Sequence, residues 1–271
     1  MTLSVLVCAG TAAANPKAQI IPLHKEAGDA LSVEGSIKGQ HGTFLFDSGW
    51  GLSAVTPGMA DRIGCHPWGQ VTGFRAIGER ITMAQCQPAT VMLGNRAFPL
   101  PTLAVVDVQH FMSPGSPTYA GGIGLDAFAG RVVTLRSLAE KIVLETPATL
   151  NVRIAHARAI PIRLVRDVEG AALTVNAGIR TPRGMLWMEM DTGNTGPTLV
   201  GRHAAALVGL NSGDEDVQEL TMPLVPGVVV HGRVRVRDLI MDGDIGRDFL
   251  NQWDLTLDLA HEKGWLTPAT M

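Results

Sequence analysis

The sequence lacks the features that mark several large classes of protein. Only one of its 271 residues is tyrosine, 17% are charged, and the net charge is −3. Because the basic residues are scattered, the chain offers no electrostatic surface suited to a polyanion, and we expect no nucleic-acid partner. No apolar run is long enough for a transmembrane helix, so we also expect no membrane span.

Common metal, phosphate and nucleophile motifs are absent as well. The eight histidines are scattered and form no His-Glu-x-x-His pair. No Gly-Lys-Ser/Thr follows the glycine pair Gly121-Gly122, and the sequence has no Gly-x-Ser-x-Gly elbow around a serine nucleophile. We therefore expect neither a metal nor a cofactor.

The N-terminal segment and the few cysteines bear on the cellular compartment. Residues 1–14 are apolar and small, as in a secretory signal, but they lack a basic start; a hydrophobic first strand is the alternative. A signal predicts a periplasmic or secreted protein, and a first strand a cytoplasmic one. After removal of the segment, Cys65 and Cys86 remain, either as a disulfide or as two buried thiols.

The chain contains an internal repeat. Short apolar runs bounded by glycine, proline or asparagine indicate strands, and two copies of one strand pattern occupy residues 30–47 and 172–191. The copies also end alike, because residues 124–144 align with residues 246–266 without a gap. We predict a signal segment at 1–14, an N-terminal lobe at 15–149 and a C-terminal lobe at 150–271, related by a pseudo-twofold axis.

One motif stands at the same place in both copies. Asp47-Ser48-Gly49 and Asp191-Thr192-Gly193 each follow a hydrophobic strand. Glycine allows the two turns to approach closely, and Ser48 and Thr192 can hydrogen-bond across the junction. The strands before the two aspartates predict apolar surroundings for both carboxyl groups.

Paired carboxyl groups favour acid–base hydrolysis. Two carboxyls in close contact cannot both ionise readily, so they share a proton. The ionised member can take a proton from water while the protonated member hydrogen-bonds a carbonyl oxygen. Glycosidases hold their carboxyls about 5 to 9.5 Å apart, whereas turns related by a twofold axis favour closer contact and peptide hydrolysis.

These motifs resemble those of the aspartic peptidases, with lobes more similar to retropepsins than to pepsin. The resemblance covers nearly all of the chain after the first segment and implies an all-β fold of two homologous β-barrel lobes with a few short helices. It implies a monomeric endopeptidase acting on a polypeptide substrate, with Asp47 and Asp191 as catalytic residues. By analogy, supporting ψ-loops contain Ile123-Gly124 and Ile245-Gly246.

The resemblance also implies a hairpin flap over the cleft. Residues 72–80 can supply it, with Gly73, Phe74, Ile77 and Gly78 as the candidate flap residues, although the pepsin-type flap tyrosine is absent.

Two residues next to the motifs depart from the family pattern. Trp50 and Asn194 follow the motif glycines, and we expect them to shape the cleft, with the indole restricting it. Asp126 and Asp248 also recur, and we interpret them as turn or capping residues rather than metal ligands. The alternative function is a non-catalytic peptide-binding or scaffolding protein with the same fold.

Overall fold

The computed structural model describes residues 17–112 and 115–271, so the predicted signal segment at 1–14 lies outside the described residues. The chain is mostly β-strand, with short helices. The strands of the N-terminal lobe are β1 (Gln19–Pro22), β2 (His24–Lys25), β3 (Leu31–Ile37), β4 (Gln40–Phe46), β5 (Ala54–Val55), β6 (Trp68–Phe74), β7 (Arg80–Cys86), β8 (Ala89–Leu93), β9 (Arg96–Leu100), β10 (Leu103–Val105), β11 (Gly121–Ile123), β12 (Val132–Arg136) and β13 (Lys141–Leu144).

The C-terminal lobe repeats the central part of this arrangement with fewer strands. Its strands are β14 (Arg158–Ile160), β15 (Ile162–Val165), β16 (Thr174–Thr181), β17 (Gly184–Met190), β18 (Thr198–Gly201), β19 (Val217–Val225), β20 (Val228–Arg237), β21 (Gly243–Ile245), β22 (Trp253–Asp258) and β23 (Lys263–Pro268). The α-helices are α1 (Pro57–Arg62), α2 (Pro147–Ile154), α3 (Arg202–Ala205) and α4 (Arg247–Leu250). Single 3-10 turns are Ala27–Asp29, Val108–Phe111, Leu125–Phe128, Val168–Gly170 and Ala206–Val208.

Each lobe has its own curled sheet, and a further sheet is shared. The N-terminal sheet has the order β6-β7-β10-β5-β11-β4-β3-β8-β9, with β2 beside β3, and the C-terminal sheet has the order β15-β16-β17-β21-β18-β20-β19. Both contain the same central motif, in which β4 and β17 pair in parallel with β11 and β21. The prediction of a bilobal all-β fold with few short helices is confirmed.

The shared sheet joins the lobes around the pseudo-twofold axis. Its order is β1-β13-β12-β22-β23-β14, so each half contributes the equivalent strands. At its centre β12 and β22 are antiparallel, Thr134 lies opposite Thr256, and their hydroxyl oxygens are 3.0 Å apart. The boundary expected at 149/150 falls within helix α2, which begins at Pro147 after a Thr146 cap.

Apolar side chains fill the interior of both lobes. Phe44 and Phe46 on β4 are fully buried, as are Met188 and Met190 on β17. The buried residues lie at the ends of the two strands nearest the motifs, where each strand is inside its sheet between two neighbouring strands. The buried pairs anchor the strand ends from which the site residues project.

Cys65 and Cys86 form a disulfide that fixes one edge of the N-terminal lobe. Cys65 follows α1 and is bonded to Cys86 at the end of β7, 21 residues later. This resolves the two alternatives that the sequence left equal. No helix among residues 17–112 and 115–271 combines the length and apolar character that crossing a bilayer requires.

Candidate active site

The two aspartates emerge from equivalent strand ends. Asp47 follows β4, and its backbone NH donates to the Ile123 carbonyl at 3.1 Å. Asp191 follows β17, and its NH donates to the Ile245 carbonyl at 3.0 Å. Both aspartates are half-buried. The parallel pairing with β11 and β21 therefore extends one residue further and fixes the backbone from which each carboxyl group projects.

The hydroxyl residues of the two motifs bond across the lobe junction. The Ser48 NH donates to Thr192 Oγ1, and the Thr192 NH donates to Ser48 Oγ, both at 2.9 Å. Ser48 Oγ also donates to the Met190 carbonyl at 2.6 Å. Both side chains are fully buried. The expected hydrogen bonds across the junction are thus present and hold the two motif turns together.

The motif glycines allow the carboxyl groups to cross to the opposite lobe. A Cβ atom on Gly193 would lie 2.1 Å from Asp47 Oδ2, and one on Gly49 would lie 2.6 Å from Asp191 Cγ. In each turn the glycine NH also donates to its own aspartate, at 2.8 Å in the first lobe and 2.6 Å in the second. Any side chain at either glycine would displace a carboxyl group.

The two carboxyl groups lie within hydrogen-bonding reach of each other. Burial raises the pKa of Asp47 well above its usual range, and the Asp191 charge and the hydrogen bond between the carboxyls raise it further. The Gly49 NH acts in the opposite direction because it stabilises the ionised form. The pair can therefore hold one shared proton, as acid–base hydrolysis requires.

Trp50 and Asn194 occupy equivalent positions but make different contacts. The Trp50 indole packs within its own lobe, because a Cβ on Gly122 would be 3.0 Å from Trp50 Cε2, and the ring meets Phe111 edge-on at 5.9 Å between centroids. Asn194 instead donates from Nδ2 to Asp244 Oδ1 at 3.2 Å. The contacts of the indole that the structure describes are with residues of its own lobe.

The candidate flap residues belong to a β-hairpin that touches the C-terminal lobe. Strands β6 and β7 pair from Trp68 opposite Gln85 to Phe74 opposite Arg80, and Phe74 and Ile77 at the tip of the hairpin are exposed. The Ile240 NH donates to the Ala76 carbonyl at 2.9 Å. A Cβ on Gly78 would lie 3.1 Å from Ile240 Cγ2. The tip is therefore attached to a loop of the opposite lobe.

The middle of this hairpin packs beside the loop that follows the first motif. Val71 and Met83 form an apolar cluster with Leu52, five residues after Asp47, and with Val168 and Ala172 of the C-terminal lobe. A Cβ on Gly73 would lie 3.4 Å from Val168 Cγ2. The hairpin thus contacts both lobes.

The sequence interpretation missed two buried acids beside Asp191. Glu189 and Asp244 lie opposite each other on β17 and β21, and only 7% and 5% of their surfaces are exposed. Apolar surroundings were expected for both aspartates, and for Asp191 this was wrong because Glu189 lies on the same face of its strand. The period of two along a strand was the available signal, since residues 189 and 191 share a face.

The second pair of recurring aspartates has no part in this cluster. Asp126 accepts hydrogen bonds from the Ser53 NH at 2.9 Å and the Ser53 hydroxyl at 2.6 Å. Burial raises its pKa to about 6, opposed by those hydrogen bonds. Asp248 is exposed on α4. Asp126 therefore supports the loop after Asp47.

The comparisons with known proteins support the fold. No family model and no curated protein matches the chain. Among solved structures, the basic 7S globulin from soybean matches with a TM-score of 0.57 at 10% identity, covering 92% of this chain and 94% of the globulin. Conglutin gamma from lupine seeds, also a basic 7S globulin, gives a TM-score of 0.56 at 10% identity, covering 94% and 96%. At 10% identity, this similarity shows the fold and does not show an activity. The fold of this chain is pepsin-like and bilobal.

Proposed function

We propose that the chain is an aspartic endopeptidase that hydrolyses peptide bonds with a water activated between Asp47 and Asp191. The observation that carries the proposal is the mutual packing of each carboxyl group against the glycine of the other motif. Such packing leaves the two carboxyls facing one another at the lobe junction, with both still partly accessible.

The chemistry requires only these two side chains and water. The ionised aspartate accepts a proton from water as the water oxygen bonds to the peptide carbonyl carbon. The protonated aspartate donates a hydrogen bond to the carbonyl oxygen, which becomes tetrahedral. Transfer of a proton to the amide nitrogen then breaks the carbon–nitrogen bond and releases an amine and a carboxylic acid.

A polypeptide is the substrate class that fits this site. It would bind along the cleft between the lobes, below the hairpin that ends at Ile77 and Gly78. With both lobes in one chain, we infer a monomer. The disulfide is compatible with an oxidising compartment, so we infer a periplasmic or secreted protein rather than a cytoplasmic one.

A quenched fluorescent peptide library tests the activity from acidic to neutral pH. Asp47→Asn and Asp191→Asn are matched controls because the amide has the shape of the acid but cannot exchange a proton. We expect cleavage by the wild type and a loss of at least about a thousandfold in each variant, similar to the loss of other essential acid–base groups. No cleavage by the wild type, or equal cleavage by folded variants, would contradict the proposal.

The second candidate function is peptide binding without turnover. It is favoured by the fold neighbours, which are named as globulins and not as peptidases, and by the bond between Ile240 and Ala76 that closes the hairpin onto the opposite lobe. Fluorescence anisotropy with the same peptides separates the two functions. Saturable binding with intact peptides after long incubation would support the binding protein and contradict the peptidase.

A further inference from the structure

Asp191 shares its face of the sheet with more carboxyl groups than Asp47 does. Glu189 precedes it by two residues on β17, and Asp244 lies beside Glu189 on the parallel strand β21. Among the described residues, no lysine, arginine or histidine forms an ion pair with either acid. Glu189 accepts a hydrogen bond from the Thr174 hydroxyl, and Asp244 accepts one from the Asn194 amide. Asp244 also contacts the carboxyl group of Asp191.

The internal duplication shows that this cluster belongs to one lobe alone. In the N-terminal lobe, Leu45 takes the place of Glu189 and Gly122 takes the place of Asp244, and these two residues pair in the same register. The Trp50 indole covers Gly122. The two half-sites therefore share a motif but differ in the strand pair next to the aspartate, which carries two acids in the C-terminal lobe and none in the N-terminal lobe.

This difference supplies Asp191 with more hydrogen-bond donors. Its carboxyl group accepts from the Gly193 NH at 2.6 Å and lies within hydrogen-bonding reach of both Asp47 and Asp244. Two carboxyl oxygens can share a hydrogen bond only if one of them carries a proton. Asn194 donates to one oxygen of Asp244, which leaves the other oxygen free to carry a proton toward Asp191.

We propose that Asp244 is a positioning residue whose protonated carboxyl group donates a hydrogen bond to Asp191, which makes Asp191 the ionised base of the dyad and Asp47 its protonated acid. This assignment rests on the proposed function, since it gives each member of the dyad its role. Glu189, which lies opposite Asp244 on the neighbouring strand, is a second neutral acid.

The electrostatics agree with the geometry. Burial raises the pKa of Asp244 well above its usual range, and the charges of Asp191 and Glu189 add to the effect. Burial also raises the pKa of Glu189 to about 8, followed by the effect of the Asp191 charge. Both acids are therefore neutral at acidic pH, as a hydrogen bond donated by Asp244 requires.

Substitution of Asp244 by Asn and by Leu separates a donor from a space-filling side chain. Asn keeps an NH donor toward Asp191 and an oxygen for Asn194, whereas Leu has a similar shape but no polar atom. We expect Asp244→Asn to retain kcat within about threefold. We expect Asp244→Leu to lower kcat by at least about tenfold with KM little changed, and to move the acidic limb of the pH profile to higher pH. The exposed Asp248→Asn is the control.

Either of two results would overturn the proposal. If Asp244→Leu matched Asp244→Asn in kcat and in the acidic limb, Asp244 would only fill space. If Asp244→Asn fell as far as Asp244→Leu, the ionised rather than the protonated carboxyl would be required.

A readout without substrate separates this inference from the peptidase activity. Carboxyl carbons of aspartate labelled with carbon-13 are followed by NMR through a pH titration. The wild type is expected to show one more aspartate that stays protonated through neutral pH than Asp244→Asn shows, and its absence would overturn the inference. A positive titration in a protein that cleaves no peptide would support the protonated Asp244 and contradict only the proposed function.

Discussion

Ser48 and Thr192 exchange hydrogen bonds across the lobe junction, each side-chain oxygen accepting from the other residue's backbone NH at 2.9 Å. The two bonds are fully buried and connect residues 144 positions apart in the chain. Because each bonded residue directly follows an aspartate, these two bonds between the lobes set the distance between Asp47 and Asp191.

Removing either hydroxyl should loosen that junction. Ser48→Ala and Thr192→Val each leave a buried NH without a partner, which typically costs about 1–3 kcal/mol. Because both changes disrupt one network, we expect the double variant to lose less stability than the sum of the two. Urea unfolding measures all three, with the exposed Thr221→Ala as control. Additive losses would contradict a shared network.

Glu189 should make stability depend on pH. Its pKa is raised from 4.5 to about 8, so the folded state retains a proton that the unfolded chain releases. The free energy of unfolding should therefore fall as pH rises from about 4.5 to about 8 and be flat beyond it, a loss of roughly 5 kcal/mol at most. Glu189→Gln should remove this part of the slope.

Denaturant unfolding at several pH values across that range tests the slope. The exposed Glu219→Gln is the matched control and should keep the wild-type dependence. If Glu189→Gln showed the same slope as the wild type, the carboxyl group would not be held neutral by its surroundings.

The Cys65–Cys86 disulfide should stabilise the fold by restricting the unfolded chain. Closing a loop of this size, with 21 residues of separation, typically contributes about 3 kcal/mol. We expect Cys65→Ala/Cys86→Ala to lower the free energy of unfolding by about this amount without a change in fold. Reductant should destabilise the wild type to a similar level and leave the double variant unchanged; an effect on both would point to another cause.

The hairpin tip should be held by one backbone bond. Ile240→Pro removes the NH that donates to the Ala76 carbonyl, so we expect faster hydrogen exchange at the tip, by about fivefold for a bond worth about 1 kcal/mol. Ile240→Ala retains the NH and serves as the control. Equal protection of the Gly78 amide in both variants would show that the tip is held by other contacts.

The sequence was sufficient to predict the dyad because the necessary information is local and occurs twice. A hydrophobic strand followed by Asp-Ser-Gly or Asp-Thr-Gly predicts where each aspartate lies, and the repeat predicts that the two meet. The direction of the Trp50 ring could not be predicted, since it depends on the space above Gly122 on another strand.

The two buried acids beside Asp191 could not be predicted from the repeat, because they occur only in the second copy. Asp244 aligns with Gly122, and Glu189 aligns with Leu45, so the acids occur where the repeat does not match. Their burial could be recognised only with β21 placed beside β17, a pairing of segments more than 50 residues apart. The disulfide likewise depended on the distance between α1 and β7.

The central pairing of β12 with β22 has the symmetry of a dimer interface. Thr134 faces Thr256 in an antiparallel register that a single strand could adopt with a second copy of itself. A chain with the N-terminal lobe alone would expose β12 as a free edge, and two such chains could meet there with one aspartate each. The two halves of the chain are thus arranged as the subunits of a twofold dimer would be, but they need not be identical: one has an indole packed on a glycine, and the other has a buried acid hydrogen-bonded to an amide.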